Sequence, residues 1–423
     1  MAIAAAVVLV AVAVRGVAVW RLADGLAHDT DGYRAVARSL VEQGDLLRDG
    51  QPTAWRPPLY PLLLAKLLWL SDWAAAPRSD QLFVAFVGLT QVALGAATAL
   101  LVLRLGWRLG LGRWSLLAAA LVICDPLLVY QSAQLMTETL ATFLAVCAWS
   151  LLVAEKRSAL RAIASGVVFG LATLCRPTFL LWAVLLLIWF AWRALRQRTW
   201  RNPALATIAF LLTIAPWGAR NWIELGRPIV TTTHGGYTLL LANNPGFYRF
   251  VREGEWGTFW DSRDFVAEWL AHKRAAAIDN EIDEDRLARR LAIDTMQADP
   301  AGFARATVVR LGRFWSIAPH AAAHGSRLES ASIRWSIALW YVAEFALAFV
   351  GLAAVATSPK RASWLVGVLL IVALSAVHSV YWSDLRMRAP AMPVVALLAA
   401  AGASRLRRVA SDGPLAGASD PES

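Results

Sequence analysis

Three acids in this chain stand where a carboxylate could do chemistry: Asp29 and Asp31, one residue apart in HDTDGYRAVA, and Glu138 in QLMTETL. A carboxylate beside a hydroxyl or an amine can take its proton during attack on a substrate. The basic and amide residues that recur on the same side are Arg56 in AWRPPLYP, Arg176 in CRPT, Arg220 in PWGARNW, Asn243 and Asn244 in ANNPG, and Arg386 and Arg388 in SDLRMRAPAMP. Arginine suits phosphate because its planar donors can hold two oxygens at once. Each residue also has a plainer reading. Asp29, Thr30 or Asp31 can cap the helix that follows, Glu138 can be a solvated helix start helped by Thr137 and Thr139, and any one arginine can anchor a lipid headgroup.

The elements that must position these groups are membrane helices. The chain is 58% hydrophobic and 17% charged, too apolar and too sparsely charged for a single water-soluble core. Apolar runs of about twenty residues, the length needed to cross ~30 Å of hydrocarbon, recur throughout. The expected fold class is therefore an all-α polytopic membrane protein. About ten transmembrane helices are expected, near residues 3–22, 82–106, 113–131, 134–154, 159–175, 177–194, 203–218, 333–356, 362–381 and 387–404. The net charge of +11 falls in short clusters between these runs rather than on one face, so it reads as a topology signal and not as a nucleic-acid surface.

With both termini cytoplasmic, the inward connections are Arg104 to Arg113, Glu155 to Arg161, Arg193 to Arg201, Pro359 to Arg361 and the tail bearing Arg405, Arg407 and Arg408. All are short and basic, as the positive-inside rule requires. Residues 1–404 then form one transmembrane domain with two long outer loops, 23–80 and 219–332, followed by a cytoplasmic polar tail over 405–423. Arginines on the outer face gain nothing from that rule, so a local anion is the simpler account of them together. An uncleaved first helix fits the start of the chain better than a signal peptide, since Arg15 sits inside the apolar run.

In the first outer loop, Tyr33, Val36, Ala37, Leu40 and Val41 make an apolar stripe on a short helix that stops at Gly44. A second surface helix is expected from Pro58 to Leu70, with Lys66 snorkelling and Trp69 at headgroup depth. The large loop reads as irregular from Arg220 to about Asp261 and as amphipathic helices from Ser262 to Phe314, broken at Asp299-Pro300. The acids of DNEIDEDR read as a solvated face. Glu344, inside the eighth span, pairs with Arg15 or with the bundle interior and is left out of the site. Asp125 before Pro126 is a turn residue, and Cys124, Cys147 and Cys175 are free buried thiols.

Taken in order, DTDGYRAVA, RPPLYPLLLA, DPLLVYQSAQLMTETL, CRPTFLL, PWGARNW with NNPG downstream, and LRMRAPAMP resemble the polyprenyl-phosphate-dependent glycosyltransferases of the GT-C superfamily. The likeness is to members related to protein O-mannosyltransferases and lipid A aminoarabinose transferases, and it runs through nearly the whole chain. It implies a first outer loop carrying the acid required for catalysis. The family pattern of an acid followed by Tyr and then Ala falls on Asp29, Tyr33 and Ala37; the second acid falls on Glu138, the loop arginine before the Pro-Leu-Tyr-Pro run, which includes Tyr60, on Arg56, and the final basic residue on Arg386 or Arg388. Many relatives carry two adjacent acids at the first position; here Thr30 separates Asp29 from Asp31, which leaves the choice of base open.

The implied reaction moves a sugar, with inversion, from a polyprenyl-phosphate carrier to a lipid, glycan or protein acceptor at the outer face of a bacterial plasma membrane. The leaving group is already a stabilised phosphate, so the enzyme needs a base near the acceptor and positive charge near the phosphate. Glu138 is a candidate to bind the sugar or to help hold a divalent cation, although two acids do not define a metal site. The competing reading is a polytopic lipid or polysaccharide transporter or flippase, for which inverted repeats and broken midplane helices are expected and are not evident here.

Overall fold

The computed structural model describes the chain except residues 75–78, 154–157, 255–257, 259, 320–330 and 412–423. The part of the expected inward connection that starts at Glu155, and the tail beyond Ser411, lie outside the described residues.

The architecture is helical. In chain order the helices are α1 (Ala2–Arg21), α2 (Asp24–Ala27), α3 (Tyr33–Gln43), α4 (Leu59–Ala74), α5 (Ser79–Leu109), α6 (Ser115–Cys124), α7 (Pro126–Gln131), α8 (Glu138–Leu152), α9 (Ala159–Cys175), α10 (Phe179–Gln197), α11 (Arg201–Leu225), α12 (Gly235–Ala242), α13 (Pro245–Glu253), α14 (Arg263–Ala275), α15 (Glu281–Ala298), α16 (Pro300–Phe314), α17 (Ala331–Ala356), α18 (Arg361–Val380) and α19 (Met392–Ser411). A two-residue hairpin, β1 (Leu47–Arg48) with β2 (Gln51–Pro52), pairs Leu47 with Pro52 and Arg48 with Gln51.

Helix occupies each of the ten stretches expected to span the membrane. Among the described residues seven helices are long and apolar enough to cross; those at Gly112–Cys124, Glu138–Leu152 and Ala159–Cys175 are apolar but shorter. The third expected span is broken: Asp125 ends α6 and caps α7, its carboxylate accepting from the Leu128 amide at 2.8 Å, with Pro126 in the first turn where it needs no donor partner. α19 is the most enclosed helix, buried from Met392 through Gly402. It lies against α17 at a glycine contact, where a Cβ on Gly351 would meet Leu398 O at 1.9 Å, a spacing only small residues permit.

Both long connections lie at one end of the bundle and the short basic ones at the other. At the short-loop end, Arg108 reaches the Ser150 carbonyl (3.2 Å) and Lys360 the Arg108 carbonyl. At the opposite end α3 buries Tyr33, Val36 and Ala37, and Gly44 (φ 80°) closes it in the left-handed region. α4 runs past the expected end: it buries Tyr60, Leu64, Ala65 and Leu68 and leaves Leu62, Lys66, Trp69 and Trp73 exposed on the other face, as a surface helix requires.

Two expectations for the large loop are corrected. The stretch from Arg220 to Asp261 is mostly helical: α11 continues to Leu225, the two glycines of THGGY begin α12, and Asn244 caps α13 by accepting from the Phe247 amide at 2.8 Å, with Pro245 behind it. The residues read as loop punctuation are helix starts and stops. The acids of DNEIDEDR are not all solvated either, since Glu281 accepts from the Ala54 amide of the first loop and Asp285 from the Gly236 amide at the start of α12. Glu344 takes a hydrogen bond from Trp340 Nε1 (3.1 Å), while Arg15 donates to the carbonyls of Val122 (3.0 Å) and Ile123 (3.4 Å), so those two charges do not pair. All three cysteines are free; Cys175 is buried and Cys124 is exposed on the surface of the protein.

Candidate active site

Five segments meet at the long-loop end. The turn 29–32 and helix α3 bring Asp29, Asp31 and Tyr33; the chain entering α4 brings Arg56 and Tyr60. The start of α8 brings Glu138, the end of α9 brings Arg176, and a 3-10 helix at Leu385–Ala391 brings Arg386. The segment before α8 is held close by Gly25 in α2, whose carbonyl accepts from the Leu135 amide at 3.2 Å and whose absent side chain would collide with Ala133 O at 2.4 Å.

Arg386 is the hub. Its Nη1 lies 3.2 Å from Asp31 Oδ2 and 3.9 Å from Glu138 Oε1, and 3.0 Å from Met136 Sδ. Arg176 Nη1 donates to Glu138 Oε1 at 3.2 Å, and its Nη2 rests on Met387 Sδ. Arg56 donates from Nε to the Asp31 carbonyl at 2.8 Å, approaches Asp31 Oδ1 at 3.6 Å, and lies over the rings of Trp55 (4.0 Å) and Tyr33 (5.1 Å). Arg386 Nε also lies 3.9 Å from Asp384 Oδ2, so the three guanidinium groups meet three carboxylates.

Asp29 is placed differently. Its Oδ2 accepts from the Ala35 amide at 2.9 Å, the arrangement of a helix cap, while its Oδ1 is buried with no partner among the described residues. Glu138 Oε2 and the Tyr60 hydroxyl are likewise buried and without partners among the described residues. Tyr33 and Tyr60 meet edge to face at 5.2 Å. Burial raises the Tyr33 phenol to about 12 against the opposing pull of Arg56, and burial followed by the nearby Glu138 charge holds Tyr60 well above its ordinary value, so both stay protonated donors at neutral pH.

Beside Arg386 a cavity of about 520 Å³ opens between α7, α17 and the large loop, lined among others by Thr30, Met136, Tyr341, Trp382, Arg313 and Arg386. Its size is that of an ordinary ligand site. For a divalent cation the donor set does not fit: Asp31 and Glu138 are already matched by arginines, and the described residues contain no group of three or more His, Cys, Asp and Glu side chains that could hold a metal ion.

Four expected site residues lie elsewhere. Arg220 grips Asp45 through Nη2 (2.7 Å) and the Thr53 carbonyl through Nη1 (2.8 Å), pinning the first loop. Asn243 donates to the carbonyls of Leu239 and Val380 and accepts from Tyr248 and Arg310, and Asn244 caps α13. Arg388 is fully buried over Tyr341 (4.4 Å) and donates to the Phe314 carbonyl at 3.2 Å. A 3-10 helix turns once every three residues, so positions 386 and 388 point to different sides.

No residue spacing marks the shell behind Arg56. Trp55 is sandwiched by Arg48 (4.4 Å) and Arg56, and its Nε1 donates to His234 Nδ1 at 2.6 Å. His234 stacks on Tyr237. Burial, then the charges of Arg56 and Arg48, push the imidazole down to about 3, so it is neutral and free to accept that bond. A lone histidine carries no spacing signal; the only available hint was a tryptophan next to Arg56.

No family model matches the chain, and no curated protein matches it in sequence. Among solved structures, the chain is similar along its whole length to the archaeal oligosaccharyltransferase AglB from Archaeoglobus fulgidus, solved with an inhibitory peptide and a dolichol-phosphate, at 14% identity, a TM-score of 0.47 and 52% of that chain covered. It is also similar to ArnT from Cupriavidus metallidurans bound to undecaprenyl phosphate, at 14% identity and a TM-score of 0.45, over 99% of this chain and 81% of that one. This chain therefore spans about half the length of the oligosaccharyltransferase. The functional reading rests on the site.

Proposed function

We propose that the protein is a membrane glycosyltransferase that moves a sugar, with inversion, from a polyprenyl-phosphate carrier to an acceptor at the outer face of the plasma membrane. The observation that carries this is the convergence of three guanidinium groups, those of Arg56, Arg176 and Arg386, with Asp31 and Glu138 beside the cavity that Arg386 lines. Guanidinium forks suit phosphate oxygens, and in this reading the phosphate of a lipid-linked sugar enters the cavity beside Arg386.

In this reading Arg386 and Arg176 hold the carrier phosphate and Asp31 orients Arg386 and Arg56. Asp29 is the base through its unengaged Oδ1. The acceptor oxygen or nitrogen attacks the anomeric carbon opposite the phosphate; the carbon–oxygen bond to phosphate breaks, the phosphate leaves with the electron pair, and the acceptor proton passes to Asp29. The guanidinium groups stabilise the charge that builds on the leaving oxygen. Tyr60 and Glu138 Oε2 offer a donor and an acceptor for sugar hydroxyls.

The test is release of polyprenyl phosphate from candidate lipid-phosphate sugars by purified protein. Asp29→Asn should lower turnover by at least ~100-fold, the scale of a lost general base, and Asp31→Asn should act mainly on donor affinity. Full turnover in Asp29→Asn would falsify the choice of base, and unchanged donor affinity in Asp31→Asn would remove the role given to Asp31.

A further inference from the structure

A second site lies at the opposite end of the bundle. α9 and α11 approach each other at a pair of glycines: a Cβ on Gly166 would meet Ala206 O at 2.1 Å, and one on Gly170 would meet Thr213 Cβ at 2.5 Å. α10 leaves a gap against this pair. The gap is a groove whose narrow part, about 110 Å³, is walled by apolar residues such as Phe169, Leu186 and Phe210. Through Leu152, Ser165, Phe190, Pro203 and Ala206, which line both parts, it runs into a mouth of about 630 Å³.

The mouth is basic. Arg161, Arg193, Arg198 and Arg201 line it together with Gln197 and Asn202, and no acid does so among the described residues. Arg198 and Arg201 are exposed, and Arg198 turns the chain at the end of α10 in the left-handed region (φ 51°). α9 and α10 have their other ends at Cys175 and Phe179, beside Arg176, so this mouth is a helix length away from the acid–arginine cluster. Positive-inside topology alone accounts for arginines at these helix ends, but not for an apolar slot continuous with them.

We infer that this groove is a binding site for an anionic phospholipid, with the phosphate headgroup among the arginines of the mouth and an acyl chain in the slot between α9, α10 and α11. The charge of the mouth selects an anionic over a zwitterionic headgroup, and the apolar slot selects a lipid over free phosphate. The inference stands apart from the glycosyltransferase reading, since none of these residues belongs to the cluster around Arg386.

The experiment is native mass spectrometry of the full chain released from phosphatidylcholine bilayers containing a minority of phosphatidylglycerol. Wild type is expected to retain phosphatidylglycerol above its share of the bilayer. Arg198→Gln with Arg201→Gln should lose that preference by about fivefold per arginine. Ala183→Phe, which fills the slot without touching charge, should lower bound lipid while the arginines remain, and Arg386→Gln should leave the preference intact. The site is refuted by no enrichment in wild type, by enrichment that survives both the double arginine variant and Ala183→Phe, or by enrichment lost only with Arg386→Gln.

Discussion

The carboxylate of Glu281, at the first turn of α15, accepts from the Ala54 amide at 2.7 Å and from the Thr53 hydroxyl at 2.5 Å, tying the large loop to the first loop two residues before Arg56. Thr53 and Ala54 are almost fully buried, and the Thr233 amide donates to the Ala54 carbonyl beside them. Arg56 therefore enters the cluster on a backbone fixed from the opposite long connection.

Glu281→Ala should cost about 1.5–3 kcal/mol of stability, the scale of hydrogen bonds to a charged group with the partners left in place. Glu281→Gln, which keeps one acceptor, should recover part of it. Thermal unfolding gives the first number. If the latch serves only stability, sugar transfer measured well below the unfolding temperature will be unchanged; if it positions Arg56, transfer falls as well and Glu281→Gln restores part of it.

Arg386 touches both acids, and its loss should be felt most in the reaction. Arg386→Gln should lower turnover by about 10²–10³, as removal of a charge-stabilising donor does. Arg386→Lys should rescue little, because one ammonium group cannot reach Asp31, Glu138 and a phosphate with the fixed fork of a guanidinium. Steady-state release of polyprenyl phosphate is the measurement, and near-normal activity in the lysine variant would show that charge alone suffices.

Gly25 sets the depth of the segment that carries Met136 and Glu138. Gly25→Val must push against Ala133 O and the Gln134 side chain, both 2.4 Å from the position of the new Cβ. A loss of about 1–3 kcal/mol is expected from overpacking. The displacement also predicts weaker donor binding, seen as a raised KM, whereas a purely global loss of stability would leave KM unchanged in the folded fraction.

The membrane helices were legible because twenty apolar residues in a row have few other uses, and the α3 stripe because its spacing repeats every turn. Asp31, Glu138, Arg56, Arg176 and Arg386 were recoverable as a set from their common side. Their partition was not: Arg220 and Arg388 carry the same charge on the same side, and only the path of α11 and the pitch of the 3-10 helix turn them toward Asp45 and Phe314. Glu281 was hidden in a run of acids whose neighbours Asp279 and Asp283 are solvent-facing helix-start residues. Periodicity cannot show which acid of such a run meets a loop more than two hundred residues away.

His234 makes the last prediction. Its imidazole is held at about 3 against an ordinary 6.5, first by burial and then by the Arg56 and Arg48 charges, with Asp31 opposing them. Between those two values the unfolded chain binds the proton and the folded one does not, so stability rises with pH. The contribution of the Trp55–His234 bond is therefore complete above pH 6.5 and is lost as pH falls toward 3. Protonation would put a third positive charge beside Arg48 and Arg56 and remove the acceptor for Trp55 Nε1. His234→Gln can still accept from Trp55 but cannot titrate in this range, so its unfolding temperature should fall less steeply with acid than that of wild type. Carboxylates elsewhere titrate equally in both proteins, which makes the difference between the two curves the measurement. Parallel curves would place the acid sensitivity outside this pair.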